Sequence, residues 1–518
     1  MKKIYTLFLF CFLTVSAFSQ VAIEWQKSFG GPGWDAARIL EQTADGGYIM
    51  GGESNADGND VTGNHGFFDY WVVKIDSSGN IQWQKSLGGT GADYLYSIVQ
   101  TDDGGYIAAG RSVSNDGDVT GNHGTYDYWV VKLDGGGNIQ WQKSLGGSGW
   151  DEAHAIQQTS DGGYIAAGFA ESLDGDVTGV HDYSDYWIAK LDSSGNIEWQ
   201  KAFGGFDEDE AYAIQQTSDG GYIVAGSTLS DDGDVTGHHG DYDYWIVKID
   251  SAGNMQWQKT LGGSSEDIAT SVQQTIDGGY IVAGNSISAD GDVTNNKGGS
   301  DYWVVKLDVS GNIQWQKSFG GTDYDYGSFI RQTSDGGYIV SGGTSSNDGD
   351  VTINFGDYDF WILKLNNAGN IIWEKSLGGS MEEFAFAVHQ TADGGFITAG
   401  YTNSQDGDIT VSYGNYDFWV VKLTVPTSVS SDHNENDYSI YPNPATGEVN
   451  ILFTLNKTTY VELQLLNSLG QIVKVILNEH ANTGENKINL FTGNIPPGIY
   501  HLKFVVDNKV LTKKLVKM

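Results

Sequence analysis

The chain repeats itself every 58 residues, seven times over, without an insertion or deletion. Trp25, Trp83, Trp141, Trp199, Trp257, Trp315 and Trp373 each stand in a W-[QE]-K motif. Trp71, Trp129, Trp187, Trp245, Trp303, Trp361 and Trp419 follow D-[YF] at the same interval. The two series use fourteen of the sixteen tryptophans and leave over only Trp34 and Trp150. A period of this length with four strand-like runs predicts one β-propeller blade per repeat. An open solenoid is the competing architecture, and it would leave the terminal fragments unpaired.

The fourth unit shows the pattern. Strand A is expected over 211–217, followed by the turn Ser218-Asp219-Gly220-Gly221 and strand B over 222–226. A long loop containing D-G-D-V-T leads to strand C over 244–249, and Ser251-Ala252-Gly253-Asn254 turns into strand D over 255–261. The D-G-G turn occurs in all seven units, as glycine-rich hairpin chemistry requires. Strand B is apolar throughout, which suits burial on both faces. Strand D alternates Gln82, Gln84 and Ser86 with Ile81, Trp83 and Leu87, so it belongs at the rim with A innermost. Residues 23–29 form a D strand without its A, B and C, and the seventh unit stops after C at Leu423. The two fragments complement one another, so the ring should close by pairing the first strand with the last blade.

The ends differ from the repeats. Lys2 and Lys3 precede an apolar run and the small residues Ala17 and Ser19, which is the order of a signal peptide cleaved near Ser19 or Gln20. The apolar run is too short for a retained anchor. The only cysteine, Cys11, lies inside that run, so the mature chain has no thiol for a nucleophile, a thiolate metal site or a disulfide. The expected organisation is a signal peptide over 1–20, a seven-bladed propeller over 21–424, a linker over 425–437 and a C-terminal β-domain over 438–518. The repeats over 21–424 carry a net charge of −40, against −38 for the whole chain, and such an acidic body repels phosphate backbones, which excludes nucleic acid.

The D–A and B–C loops leave the same end of each blade and share one face. One D–A position is acidic throughout, as Asp35, Asp93, Asp151, Asp209, Asp267, Asp325 and Glu383. The B–C loop adds Asp60, Asp118, Asp176, Asp234, Asp292, Asp350 and Asp408, and Asp69, Asp127, Asp185, Asp243, Asp301, Asp359 and Asp417 precede strand C. The face is therefore expected to be densely acidic. The Asp60 series is the candidate Ca²⁺ site, since a hard cation needs closely spaced oxygens; the competing reading is that these side chains accept backbone N–H bonds and hold the loops in shape. His65, His123, His181 and His239 share one loop position and stand too far apart for a common zinc ion. Trp34, Trp150 and Tyr324 occupy one D–A position. With the Asp35 series beside them they are the candidate ligand site, because aromatic faces next to carboxylates suit sugar rings; packing between blades is the alternative. No residue constellation occurs only once, as an enzyme reading would need, and G-x-S-x-G and H-E-x-x-H are absent.

The unit D-Y-W-V-V-K-L-D-S-S-G-N-I-Q-W-Q-K-S-L-G-G resembles the outer hairpin of bacterial β-propeller repeat families, including those related to quinoprotein dehydrogenases. Quinone enzymes of that type would imply vicinal cysteines, and the mature chain has none. Tyr441-Pro442-Asn443-Pro444, Leu466-Asn467-Ser468-Leu469-Gly470-Gln471, Pro497-Gly498-Ile499-Tyr500 and Lys513-Lys514-Leu515-Val516-Lys517 resemble the type A C-terminal sorting domain of the type IX secretion system of Bacteroidota. That resemblance implies a small Ig-like β-sandwich, recognition by an outer-membrane translocon, removal of the domain and attachment to surface lipopolysaccharide. The leading functional expectation is a surface binding or adhesion module for a glycan or protein. A structural scaffold and a secreted polysaccharide hydrolase are the alternatives.

Overall fold

The computed structural model describes residues 21–424 and, apart from 442–444, 446, 456, 468–471, 494, 497 and 507–508, residues 438–517. The signal segment 1–20, the linker 425–437 and the motif residues Pro442, Asn443, Pro444, Ser468, Leu469, Gly470, Gln471 and Pro497 lie outside the described residues. Two compact units result, one from the repeats and one from the C-terminal segment.

The repeats form seven four-stranded antiparallel sheets. In the fourth blade strand A is Asp209–Gln216, B is Tyr222–Thr228, C is Asp243–Ile249 and D is Met255–Leu261, paired in that order. Strand A begins two residues before the apolar pattern does, because Asp209 and Glu210 ladder with Thr228 and Ser227 of a correspondingly longer strand B. Strands B and C are buried along their whole length, whereas D keeps one polar face partly open. Strand A is innermost, beside the A strands of both neighbouring blades.

The seventh blade is completed by the start of the chain. Ile23–Phe29 pairs antiparallel with Asp417–Leu423, bringing Trp25 opposite Lys422 and Phe29 opposite Phe418. The borrowed strand reproduces the contacts of its six equivalents. Trp419 Nε1 donates to Gln26 Oε1 at 2.7 Å as Trp71 Nε1 does to Gln84 Oε1 at 2.9 Å. Trp25 packs edge-on to Tyr48 at 6.3 Å as Trp199 does to Tyr222 at 6.1 Å. No open sheet edge is left at the joint, so the ring is closed rather than a solenoid.

Two devices recur around the ring. The C-strand tyrosine reaches across each junction: Tyr70 donates its hydroxyl to Trp129 O at 2.9 Å, and its ring lies 4.5 Å from that of Trp129. Tyr128, Tyr186, Tyr244 and Tyr302 do the same, whereas Phe360 and Phe418 make only the ring contact. The C-strand lysine is buried and reaches the aspartate of the D-G-G turn: Lys248 Nζ donates to Asp219 Oδ1 at 3.2 Å and to Ile249 O at 3.1 Å. Against the upward push of partial burial, bonds from Thr217, Gly221 and Lys248 hold the Asp219 carboxyl at about 2. The D-G-G motif is thus both a turn and an anchor.

The C-terminal unit is a two-sheet β-sandwich. One sheet contains Tyr438–Tyr441, Glu448–Leu455 and Gly484–Phe491, and the other Ile472–Ala481, Thr459–Leu466, Gly498–Val506 and Lys509–Lys517. Val449, Ile451 and Phe453 meet Leu463, Leu502 and Phe504 in its core, with Phe453 and Phe504 at 4.9 Å. Alternating apolar residues on each inner face fill the space between the sheets. No helix among the described residues is long and apolar enough to cross a membrane.

Candidate functional site at the mouth of the channel

The D–A and B–C loops do share one face, and their aspartates lock the loops to each other. Asp116 Oδ1 accepts from Thr90 N at 2.7 Å, while Asp118 N donates to Gly88 O at 2.8 Å. Between them Gly117 sits at φ +63°, a left-handed conformation that favours glycine. D-G-D is therefore a clasp between loops.

The carboxylates expected on an open acidic face are largely inside the wall. Asp35, Asp93, Asp151, Asp209, Asp267, Asp325 and Glu383 are fully buried, as are all seven aspartates that precede strand C. Asp93 Oδ2 accepts from Gly89 N at 2.8 Å and Ser114 Oγ at 2.9 Å; Asp69 Oδ2 accepts from His65 N at 2.7 Å. Both carboxylates press on Gly88, where a Cβ would come within 2.5 Å of Asp93 Oδ2 and 2.8 Å of Asp69 Oδ1. Burial pushes the carboxyls of Asp35, Asp69, Asp185 and Asp267 up to about 6, and those of Asp209, Asp301 and Asp359 up to about 7. A ligand at the surface cannot reach these groups, which hold the loops.

The Asp60 series stays nearer the surface, with the Asp118 side chain 32% exposed and that of Asp350 27% exposed. Among the described residues no three His, Cys, Asp or Glu side chains stand close enough to hold a metal ion. The loop histidines pair locally: Nδ1 of His65, His123, His181 and His239 lies 2.8, 2.7, 2.8 and 3.1 Å from the buried aspartate four residues on.

The D–A aromatics form a rim around the ring's centre. Trp34 is 36% exposed and lies over Tyr416 at 4.0 Å. Trp150 packs on Tyr126 at 5.5 Å, and the exposed Tyr324 stacks on Tyr326 at 6.1 Å. Trp34 and Tyr324 stay open to solvent, whereas Trp150 is also covered by Arg111 at 5.2 Å and Phe169 at 6.0 Å. Packing and availability are compatible here.

Below the rim the seven repeats stop being alike. Every A strand carries a β-bulge in its pairing with strand B, between Ala37 and Ile39 in the first blade and at the equivalent place in the others. The unpaired residues are Arg38, Tyr96, His154, Tyr212, Thr270, Ser328 and Phe386, and all seven line a cavity of about 300 Å³ on the axis. A bulge re-aims one side chain while leaving the ladder on either side intact, so this position is freed from the rules that make the blades identical. Arg38 is held by Glu53 through bonds of 2.6 to 3.2 Å and lies over Phe386 at 4.8 Å. His154 sits between Tyr96 at 5.1 Å and Tyr212 at 4.8 Å, and burial holds its imidazole below the usual range. Toward the A–B turns the channel opens into a wider depression of about 960 Å³ lined by glutamines including Gln100, Gln158 and Gln216.

A search for residues repeated in every blade misses this ring, since the informative signal is the opposite one. At the bulge column the seven units carry six residue types, and columns of that kind mark where the scaffold makes no demand.

The sequence of the C-terminal unit matches the family described as Secretion system C-terminal sorting domain over residues 439–518. This segment is a sorting domain. It directs the chain through the type IX secretion system to the outer cell surface of a bacterium of the Bacteroidota, as the motifs in that segment led us to expect. The regulatory protein FlaEY of Caulobacter vibrioides is 29% identical in an alignment of 170 residues that covers 29% of this chain and 17% of FlaEY. PorZ, an essential surface component of the type-IX secretion system of Porphyromonas gingivalis, aligns over 95% of this chain and 60% of its own, with 11% identity and a TM-score of 0.40. A puromycin hydrolase aligns over 72% of this chain and 50% of its own, with 11% identity and a TM-score of 0.39. This chain with the sorting domain thus spans only part of each of these proteins.

Proposed function

We propose that the protein is a cell-surface binding module that takes a carbohydrate at the mouth of its channel. One observation carries this reading: the repeats diverge where side chains face the axis, and there they supply half-exposed aromatic rings beside acids above a cavity of about 300 Å³. Sugar rings stack on such faces while carboxylates accept their hydroxyls. Trp34, Trp150 and Tyr324 are the stacking residues. The acids within reach are Glu208, Glu266 and Glu382, which share the column of those aromatics and are partly open. Nothing in the cavity pairs a nucleophile with a base, so binding is favoured over catalysis. Glycan-array binding by the purified chain tests the reading. Retained glycans whose binding is lost in Trp34→Ala or Trp150→Ala support it, and an array without hits overturns it. Removal of the sorting domain within 425–437 and attachment to lipopolysaccharide belong to the same proposal; surface material still carrying residues 438–518 would count against them.

A further inference from the structure

The chain has three arginines, and all of them stand on the two inner strands of their blades, Arg38 and Arg331 on strand A and Arg111 on strand B. Two of the three are spent on a glutamate. Arg38 donates to Glu53 through bonds of 2.6 to 3.2 Å, and Arg111 donates to Glu152. Against the downward push of burial, these carboxylates hold both guanidinium groups above their ordinary range. Arg331 is the exception. Its glutamate, Glu41, stays 3.9 Å from Nη2, beyond hydrogen-bonding distance. Nη1 donates to Ile330 O at 3.3 Å, and among the described residues neither Nε nor Nη2 makes a hydrogen bond. Burial lowers this guanidinium despite Glu41, the reverse of its two counterparts. An arginine keeps its proton in any case, so the direction marks a charge short of partners.

The place of Arg331 gives those unspent donors a use. Arg331 and Glu41 border both the axial cavity and the wider depression beyond it, and the Arg331 side chain is 27% exposed. Its guanidinium lies over the Phe329 ring at 4.1 Å, which fixes its plane. The cavity wall is otherwise largely apolar, with Ile39, Val99, Ala155, Ala213, Val272 and Phe386 among its lining residues. A volume of about 300 Å³, an apolar lining and one charged group are the proportions of a small-molecule pocket. His389 adds no second cation: its buried Nε2 lies 3.6 Å from Glu41 Oε1 without a hydrogen-bond partner, and burial holds the imidazole below its usual range. A guanidinium edge with Nε and Nη2 unspent matches the two oxygens of a carboxylate. The Glu41 charge nearby weighs against a dianion such as phosphate more than against a monoanion.

We propose that the axial cavity binds a small aromatic carboxylic acid, its carboxylate forked on Arg331 and its ring in the apolar part of the cavity. This ligand is separate from the carbohydrate at the rim, and its failure leaves that reading standing. The test is calorimetric titration of the full chain with phenylacetate at neutral pH and low salt, in parallel with the uncharged phenylacetamide and with inorganic phosphate. Phenylacetate should bind about tenfold tighter than the amide or better, and phosphate should not displace it at equal concentration. Arg331→Gln should abolish the preference for the acid, and Arg331→Lys, which keeps the charge and loses the fork, should fall between that variant and the parent. Glu41→Gln should tighten binding several-fold, because it removes a competing carboxylate; a purely structural ion pair would not give that gain. An unchanged melting temperature certifies each variant, and Arg331→Lys carries the test if Arg331→Gln fails to fold. Equal affinity for acid and amide, acid binding undiminished in the Arg331 variants, or no binding of phenylacetate at millimolar concentration overturns the proposal. Phosphate binding tighter than that of phenylacetate overturns the carboxylate assignment.

Discussion

The outer three strands of each blade and the bulge position of its inner strand sit in one sheet, yet they follow opposite rules. Trp71 and its six equivalents are wholly buried and donate to a glutamine or glutamate on the outermost strand in every blade. At the bulge an arginine, two tyrosines, a histidine, a threonine, a serine and a phenylalanine occupy equivalent sites. Packing dictates identity where a side chain is enclosed by its neighbours in all directions. Where the backbone releases a side chain into a shared cavity, seven blades supply seven independent choices. Repetition builds the frame, and the exceptions to it carry the specificity.

The sharpest way to break this contrast is at the frame. Trp245→Ala, which empties a fully enclosed site, should cost about 3–5 kcal/mol in urea unfolding. Trp25→Ala and Trp199→Ala, both only half-buried, should cost less and by equal amounts. A silent Trp25→Ala beside a damaging Trp199→Ala would mean that the first strand does not close the ring.

Proton linkage should produce the next largest effect. The buried carboxyls bind protons more tightly folded than unfolded, so their contribution is fully present below the unfolded value of 3.8 and is lost as pH rises through about 6 to 7. The turn aspartates act in reverse: their contribution is present above 3.8 and is lost as pH falls through about 2. Melting temperatures measured across this range should therefore be highest just above pH 4 and decline toward pH 7. A profile that rises steadily to neutrality would show that the buried pairs are neutralised by something other than protons.

Smaller effects separate frame from channel more finely. Tyr302→Phe removes the hydroxyl that reaches Trp361 O and leaves that carbonyl one donor short; it should cost about 1 kcal/mol, whereas the Phe360 and Phe418 junctions have no such bond to lose. Ser328→Ala, at the bulge, should stay within about 0.5 kcal/mol of the parent. A cost as large as that of Tyr302→Phe would place the bulge residues under the same packing constraint as the frame. Finally, excess chelator should leave the melting curve where it is, because among the described residues no three carboxylates converge; a fall of several degrees would install Ca²⁺ at the Asp60 series.

Much of the frame was legible beforehand because it is written seven times. The interval of 58 residues, the glycine turns and the half-polar D strand set the blade count, the strand order and the borrowed first strand. The site was less legible. Trp34, Trp150 and Tyr324 stand at the rim as their loop position suggested, but the Asp35 series is buried, since an acidic column reads the same whether its carboxylates face water or backbone amides. Arg38 and His154 escaped notice because a bulge shifts side-chain phase by one residue without leaving a mark in the apolar pattern.

The joint between the ends has a consequence in time. Ala22 and Thr424 exchange bonds across 402 residues of chain, and closing an unstructured loop of that length would cost about 5 kcal/mol of chain entropy. The blades between them are built from hairpins and can form in succession as the chain emerges, bending the growing arc until its ends meet, so most of that search is never made. The last partner strand is also synthesised just before the sorting domain. A chain cut short anywhere in the repeats therefore lacks at once the strand that would receive its first residues and the segment that would take it out of the cell.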